Sequence, residues 1–144
     1  MDRVNKICSH ALWQQAVAKI QELEKERVFC GHDVAHFLDV ARLAYIENLE
    51  KGLALDKELI YGAALLHDIG RGLEYTQNIP HDQGSQLLAE KILPDCGYTK
   101  EEENAILEAI SGHRTADTGT RADLAGLLYR ADKKSRTCLF CSAQ

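Results

Sequence analysis

Apolar residues recur at helical spacing through most of the chain, and no stretch alternates with period two over several residues. Leu12, Trp13, Ala16, Val17, Ile20 and Leu23 form one stripe, with Lys19, Glu22, Lys25 and Glu26 on a solvated side, which predicts a first amphipathic helix. A second helix is expected from about Asp33 to Leu49. Val34, Phe37, Leu38, Val40, Leu43 and Ile46 leave it apolar on most sides, which predicts a central position. Gly52 closes that region. Asp56 is placed to cap a third helix, whose Leu59, Ile60, Ala63, Ala64, Leu65 and Leu66 lead straight into His67 and Asp68. Gly70 and Gly72 then break the pattern, so Arg71 to Pro80 reads as a loop.

A fourth helix is expected from about Asp82 to Leu93, stopping before Pro94. Thr99 and Glu102 have capping-box spacing and predict the start of a fifth, which runs to about Gly112. His113 to Gly119 reads as a second loop. Thr120 begins a sixth helix, with Leu124, Leu127, Leu128 and Ala131 on its buried side. The expected fold is all-α, a compact single-domain bundle of about six helices with short connections. Residues 1–144 form one domain in this reading: a core over roughly 31–136, an N-terminal helix within 1–30 and a C-terminal tail over 137–144.

Composition supports a folded core, because 45% hydrophobic residues in 144 suffice for one domain of ordinary size. The net charge of −5 gives no electrostatic reason to bind a nucleic-acid polymer or an anionic membrane. The first dozen residues carry no signal-peptide pattern, and no run reaches the roughly 20 apolar residues of a membrane span, so a cytoplasmic location is expected. The five cysteines at 8, 30, 96, 138 and 141 are odd in number and suggest reduced thiols rather than a disulfide framework. Cys138 and Cys141 make a C-x-x-C pair without a second pair. Two thiols on a C-terminal turn is the favoured reading, against a redox pair or half a zinc site.

The chemistry concentrates in histidines and two aspartates. His67 and Asp68 end an apolar helix, where a carboxylate must be exposed, paired or metal-bound. The alternative is a helix C-terminus with a dipole-favoured histidine. Asp132 lies four residues after Leu128 and so falls on the stripe that faces the core. Its charge needs a partner, either a metal or a cation such as Arg130 or Lys133. His36 lies within the mostly apolar second helix, and His32, four residues earlier, stands at that helix's entrance or rim. Imidazoles with carboxylates suit Zn, Fe, Mn, Co or Ni, and carboxylates suit Mg.

The stretches HFLDVARLA, ALLHDIGRG and LLYRADKKSR place His36, His67-Asp68 and Asp132 in the order H…HD…D. This resembles the HD-domain superfamily of metal-dependent phosphohydrolases, over roughly Gly31 to Arg136. The resemblance implies a helical domain in which His36, His67, Asp68 and Asp132 hold a metal. His81 in PHDQGS and His113 in SGHR match the extra histidines of members that hold two ions, with Asp68 as the bridge. The alternative is that they contact substrate phosphate beside a single ion. The resemblance departs at Asp39, where members often carry an arginine. Arg71, directly after His67-Asp68-Ile69-Gly70, is then the better candidate to grip a phosphate, since guanidinium binds phosphate through two nitrogens. Lys133, Arg114 and His32 are further candidates on the substrate side.

The function implied is hydrolysis of a small phosphorylated substrate such as a nucleotide. One or two divalent ions (Fe, Mn, Ni, Co, Zn or Mg) would activate a water, and Asp68 and Arg71 would be the catalytic residues. Two other readings use the same ligands: a di-iron HD-domain oxygenase, and a non-catalytic metal- or nucleotide-binding module. A fourth is that the histidines are structural and no metal binds. The pattern neither requires nor excludes a dimer.

Overall fold

The computed structural model describes residues 1–27, 31–112 and 116–136, and over these the only regular elements are helices joined by short turns, with no strand. The helices are α1 (Asp2–Ser9), α2 (Ala11–Glu24), α3 (Val34–Glu50), α4 (Lys57–Leu66), α5 (Arg71–Gln77), α6 (His81–Ile92), α7 (Lys100–Gly112) and α8 (Leu124–Lys134). Short 3-10 turns cover Leu93–Cys96 and Ala116–Thr120. The all-α expectation holds, with more helices than the apolar pattern marked.

Most of the helix starts are set by side-chain caps. Asp33 accepts from the His36 amide at 2.8 Å, Asp56 from the Glu58 amide at 2.7 Å and Asp123 from the Gly126 amide at 3.1 Å. Thr99 and Glu102 close a reciprocal capping box, 3.2 and 3.0 Å, at the head of α7. Asp123, rather than Thr120, therefore starts the last helix, because its carboxylate reaches the free amides of the first turn.

The centre of the bundle is α4, where Gly62 to Leu66 are all buried. Helix α3 packs on α4 and α8, and α7 on α4, α6 and α8. Phe37, Ile60, Leu65, Leu66, Ile106, Ile110 and Leu127 are fully buried where these helices meet. The central position expected for the second helix thus belongs to α4. Helix α3 keeps an outer face, with Ile46 51% and Leu49 63% exposed. Val4 and Ile7 of α1 and Trp13 and Val17 of α2 join the same core. Arg3 ties α1 to two other helices through Glu58 of α4 at 2.9 Å and Glu102 of α7 at 2.6 Å.

The stretch Arg71 to Pro80 is not the expected loop; most of it is α5. The glycines that suggested a break have a different purpose. Gly70 has an ordinary φ of −78°. A Cβ there would stand 2.2 Å from the Ser85 amide nitrogen and 2.4 Å from the His81 carbonyl oxygen. Gly70 therefore lets the turn after α4 touch α6, and helix resumes at once.

The candidate metal centre

The site grows out of the C-terminal end of α4, where a helix leaves its last carbonyls without partners. The indole Nε1 of Trp13 donates to the Leu65 carbonyl at 2.9 Å, and His67 Nδ1 lies 2.6 Å from the Ala64 carbonyl. A carbonyl oxygen only accepts, so His67 carries its proton on Nδ1 and turns the Nε2 lone pair away from α4. The turn that follows is pinned by the Gly70 amide donating to Ser85 Oγ at 2.8 Å. That turn brings Asp68 round to the same side as His67, which neighbouring residues in a continuing helix could not share.

Two other helices complete the cluster. His36 comes from the first turn of α3, directly behind its Asp33 cap, and Asp132 from α8. His36 Nε2 lies 3.4 Å from Asp68 Oδ2 and 3.4 Å from Asp132 Oδ1. His67 Nε2 lies 3.2 Å from Asp68 Oδ2 and 3.4 Å from Asp132 Oδ1. One ligand atom from each of the four residues falls within a mutual 4.8 Å. His67 is fully buried, and Asp68 is 2% exposed.

This donor set fits a divalent cation. Nitrogen and oxygen ligands standing about 2.1 Å from a shared ion are roughly 3.0 to 3.4 Å from one another. The four His–Asp separations, 3.2 to 3.4 Å, fall in that range, whereas good hydrogen bonds are shorter. His36 Nε2 is sealed from solvent and has no hydrogen bond of acceptable geometry. Two carboxylates in such a place call for positive charge. Burial alone would push the two imidazoles down, yet Asp68 and Asp132 outweigh it: His36 is raised and His67 is pushed up to about 10. Conversely, burial alone would raise both carboxyls, and the histidines hold Asp68 and Asp132 well below the usual carboxylate range. The cation partner considered for Asp132 is engaged elsewhere, since Arg130 is spent on Glu47 at 2.6 Å.

The remaining candidates are placed unequally. His81 opens α6 at the rim of the cluster, with Nε2 3.7 Å from Asp68 Oδ1. Arg71 opens α5 on the same side, with Nε 3.5 Å from Asp68 Oδ1. His32 is buried and meets His36 edge-on, ring centroids 6.0 Å apart. Lys133 is not brought to the cluster, because its ammonium stacks over the Tyr129 ring at 5.4 Å. His113, Arg114, Cys30, Cys138 and Cys141 lie outside the described residues.

Three supporting groups were not anticipated. Glu74 of α5 stands 3.6 Å from His81 Nδ1 and 3.3 Å from Arg71 Nη1. Reading 71–80 as a loop hid it, although it sits one helical turn after Arg71. Ser135 Oγ lies 3.4 Å from His36 Nδ1 and donates to the Asp132 carbonyl at 2.7 Å, so it touches both sides of the cluster. Glu24 ends α2 with its side chain only 7% exposed, bonded to His32. Its signal was available: Trp13, Val17, Ile20 and Glu24 share one helical stripe, and Leu23, assigned to that stripe, is 44% exposed instead.

Comparison with known proteins adds three findings. The family model of the HD domain matches residues 33–137. An uncharacterized protein of Clostridium beijerinckii is 41% identical over 143 residues, covering 99% of this chain and 89% of that protein. No solved structure matches the chain significantly.

Proposed function

The chain belongs to the HD-domain family, and on that premise we propose that it is a metal-dependent phosphohydrolase acting on a small phosphorylated substrate, with nucleotides the first class to test. The observation that carries this reading is the convergence of His36, His67, Asp68 and Asp132 on one point. In this reading those four side chains hold one divalent ion, and α1 and α2 belong to the same domain because they share its core. Such an ion supplies Lewis acidity toward the phosphoryl group and the attacking water.

The chain's own residues do the rest. His67 is held rigidly, its Nδ1 tied to the Ala64 carbonyl, so its Nε2 needs no reorganisation to act as a ligand. Ser135 steadies both His36 and the Asp132 backbone from behind. Arg71 sits where substrate charge would gather. Its Nε faces Asp68 Oδ1 at 3.5 Å without a well-formed hydrogen bond, so the guanidinium can turn to a phosphate oxygen. Glu74 holds the other end of that guanidinium at 3.3 Å.

Arg71 also bears on how many ions the site takes. Asp68 Oδ1 is 3.7 Å from His81 Nε2 and 3.5 Å from Arg71 Nε, and a second ion, if held, would be held by Asp68 and His81. A fixed positive charge at that oxygen favours a single ion, with His81 and Arg71 on the substrate side. The di-iron oxygenase reading would need Asp68 and His81 to hold a second ion beside the Arg71 guanidinium, whose positive charge disfavours it.

The test is turnover. Protein loaded in turn with Mn, Co, Ni, Fe, Zn and Mg is offered a panel of nucleotides and other phosphorylated metabolites, and phosphate or pyrophosphate release is followed. Release from at least one substrate is expected, with Arg71→Ala lowering kcat/KM by about 100-fold or more. A fully loaded protein that releases nothing, or that consumes O₂ with two irons bound, contradicts the reading.

A further inference from the structure

Glu24 and His32 both precede the segment that matches the HD domain, and together they make an arrangement that the four-residue cluster does not require. The Glu24 carboxylate is sealed beneath α2 with no lysine or arginine within ion-pair distance among the described residues. It is satisfied by hydrogen bonds instead. Oε1 accepts the His32 amide at 2.7 Å, Oε2 lies 2.6 Å from His32 Nδ1, and Oε2 also accepts the Tyr75 hydroxyl from α5. Tyr75 is in turn held by Arg27 Nη1 at 3.2 Å. Three elements thus close around one imidazole, which is 7% exposed.

A carboxylate only accepts, so the proton on His32 must sit on Nδ1. The neutral ring then carries its lone pair on Nε2, on the side turned away from Glu24. Among the described residues nothing bonds that Nε2. His36 abuts the His32 ring at 84°, and both Asp68 and Arg71 act on its charge. A lone pair repels phosphate oxygens but accepts the proton of a water.

We propose that Glu24 is a positioning residue that holds His32 with its Nε2 lone pair toward the His36–Asp68 face, and that His32 takes the proton of the attacking water. This rests on the phosphohydrolase reading above and refines the role of His32 from phosphate contact to proton acceptor. In the step, a water O–H bond breaks and its proton passes to His32 Nε2. The water oxygen forms a bond to phosphorus as the bond from phosphorus to the leaving oxygen breaks. The leaving oxygen keeps that electron pair and takes the proton back from Nε2. The water supplies both the new P–O bond and the proton, so no further reactant is needed.

The test combines kinetics with a readout that does not depend on turnover. In the full-length, metal-loaded protein, His32→Asn is expected to lower kcat by about 100-fold or more, in the range of general-base removal. Glu24→Gln is expected to lower it about 10- to 100-fold, as for loss of a supporting group. In both, KM and metal content stay near wild type, and the double variant falls no further than His32→Asn alone. Tyr75→Phe, which leaves both bonds between Glu24 and His32 in place, serves as a gentler variant if Glu24→Gln fails to fold, with a smaller loss of the same kind. Nitrogen-15 NMR of the imidazoles should show His32 protonated on Nδ1 in the wild type, with that preference weakened in Glu24→Gln.

A His32→Asn protein with wild-type kcat, losses that multiply in the double variant, or a wild-type His32 protonated on Nε2 would each overturn the proposal. If the loaded wild type turns over no phosphorylated substrate, the phosphohydrolase reading fails and takes the proton-acceptor role with it. The NMR tautomer then decides separately whether Glu24 positions His32.

Discussion

Arg130 and Glu47 show how single residues hold the site without touching it. The guanidinium grips the carboxylate through Nε and Nη2, at 2.9 and 2.6 Å, and its Nη1 reaches the Gly119 and Arg121 carbonyls. That fixes α8, and so Asp132, against α3. The Arg130 hydrogen bonds, with the charges of Arg130, Lys51 and Lys134, outweigh partial burial and leave the Glu47 carboxyl below its ordinary value. A carboxyl depressed in the folded state adds stability above its unfolded pKa, about 4.3, and loses it as pH falls through the folded value. Glu47→Gln should therefore cost about 2 kcal/mol near neutrality. The gap to wild type should close on acidification below about pH 4. Denaturant unfolding at pH 7, 5 and 3.5 reads this, and a gap that persists undiminished at pH 3.5 would refute the role given to the charge.

Residue-level reading of the sequence succeeded where a polar group broke an apolar pattern. Asp132 on the stripe of Leu124 and Leu128, and His67-Asp68 after a wholly apolar run, were visible because burying such groups is costly unless they are satisfied. The same rule applied to Trp13, Val17, Ile20 and Glu24 would have found Glu24. The flanking charges at Glu22, Lys25 and Glu26 give the end of that helix a solvated pattern that masks it. Lys133 shows the opposite limit: adjacency to Asp132 in sequence does not bring its ammonium to the site, because neighbours on a helix diverge.

At the scale of elements, the helices with strong caps and long apolar stripes were legible, α3, α4 and α7 among them. Two short helices were not. Helix α1 spans only eight residues and buries only Val4 and Ile7, too short a pattern to stand out. Helix α5 was masked by glycines whose reason is tertiary. Gly70 is bare because α6 crosses it within contact of backbone, a demand that no local pattern records. Gly70→Ala should then be far worse than the usual helix-compatible glycine replacement. The new methyl meets backbone of Ser85, His81 and Gly84 rather than a movable side chain. A loss of about 3 kcal/mol is expected in denaturant unfolding, with weakened metal binding because His81 and Asp68 shift. A variant as stable as wild type would show that the turn can relax, and that Gly70 does not set the position of Asp68.

For the whole molecule, the order of the motifs conveyed more than their spacing could. Four candidate ligands from α3, the turn after α4 and α8 meet in space across nearly 100 positions of sequence. Helical periodicity alone could not bring them together. What made the arrangement readable was the resemblance of the H…HD…D order to a known family, which the match over residues 33–137 bears out. Nothing comparable marked Glu74, Ser135 or Tyr75, whose roles exist only once α5 and α8 are packed. Among the described residues, no helix is long and apolar enough to cross a membrane. The net charge of −5 gives no electrostatic reason to bind polymeric nucleic acid.

The central claim is that His36, His67, Asp68 and Asp132 together hold a divalent ion, and metal content tests it most directly. Protein purified without chelators is assayed by elemental analysis before and after reloading, alongside Asp68→Asn and Asp132→Asn variants whose folding is checked by circular dichroism. The wild type should carry about one tightly held ion per chain, and each folded variant should lose at least 10-fold in metal affinity. A folded wild type that binds no divalent metal, or variants that bind it as tightly, would contradict the account.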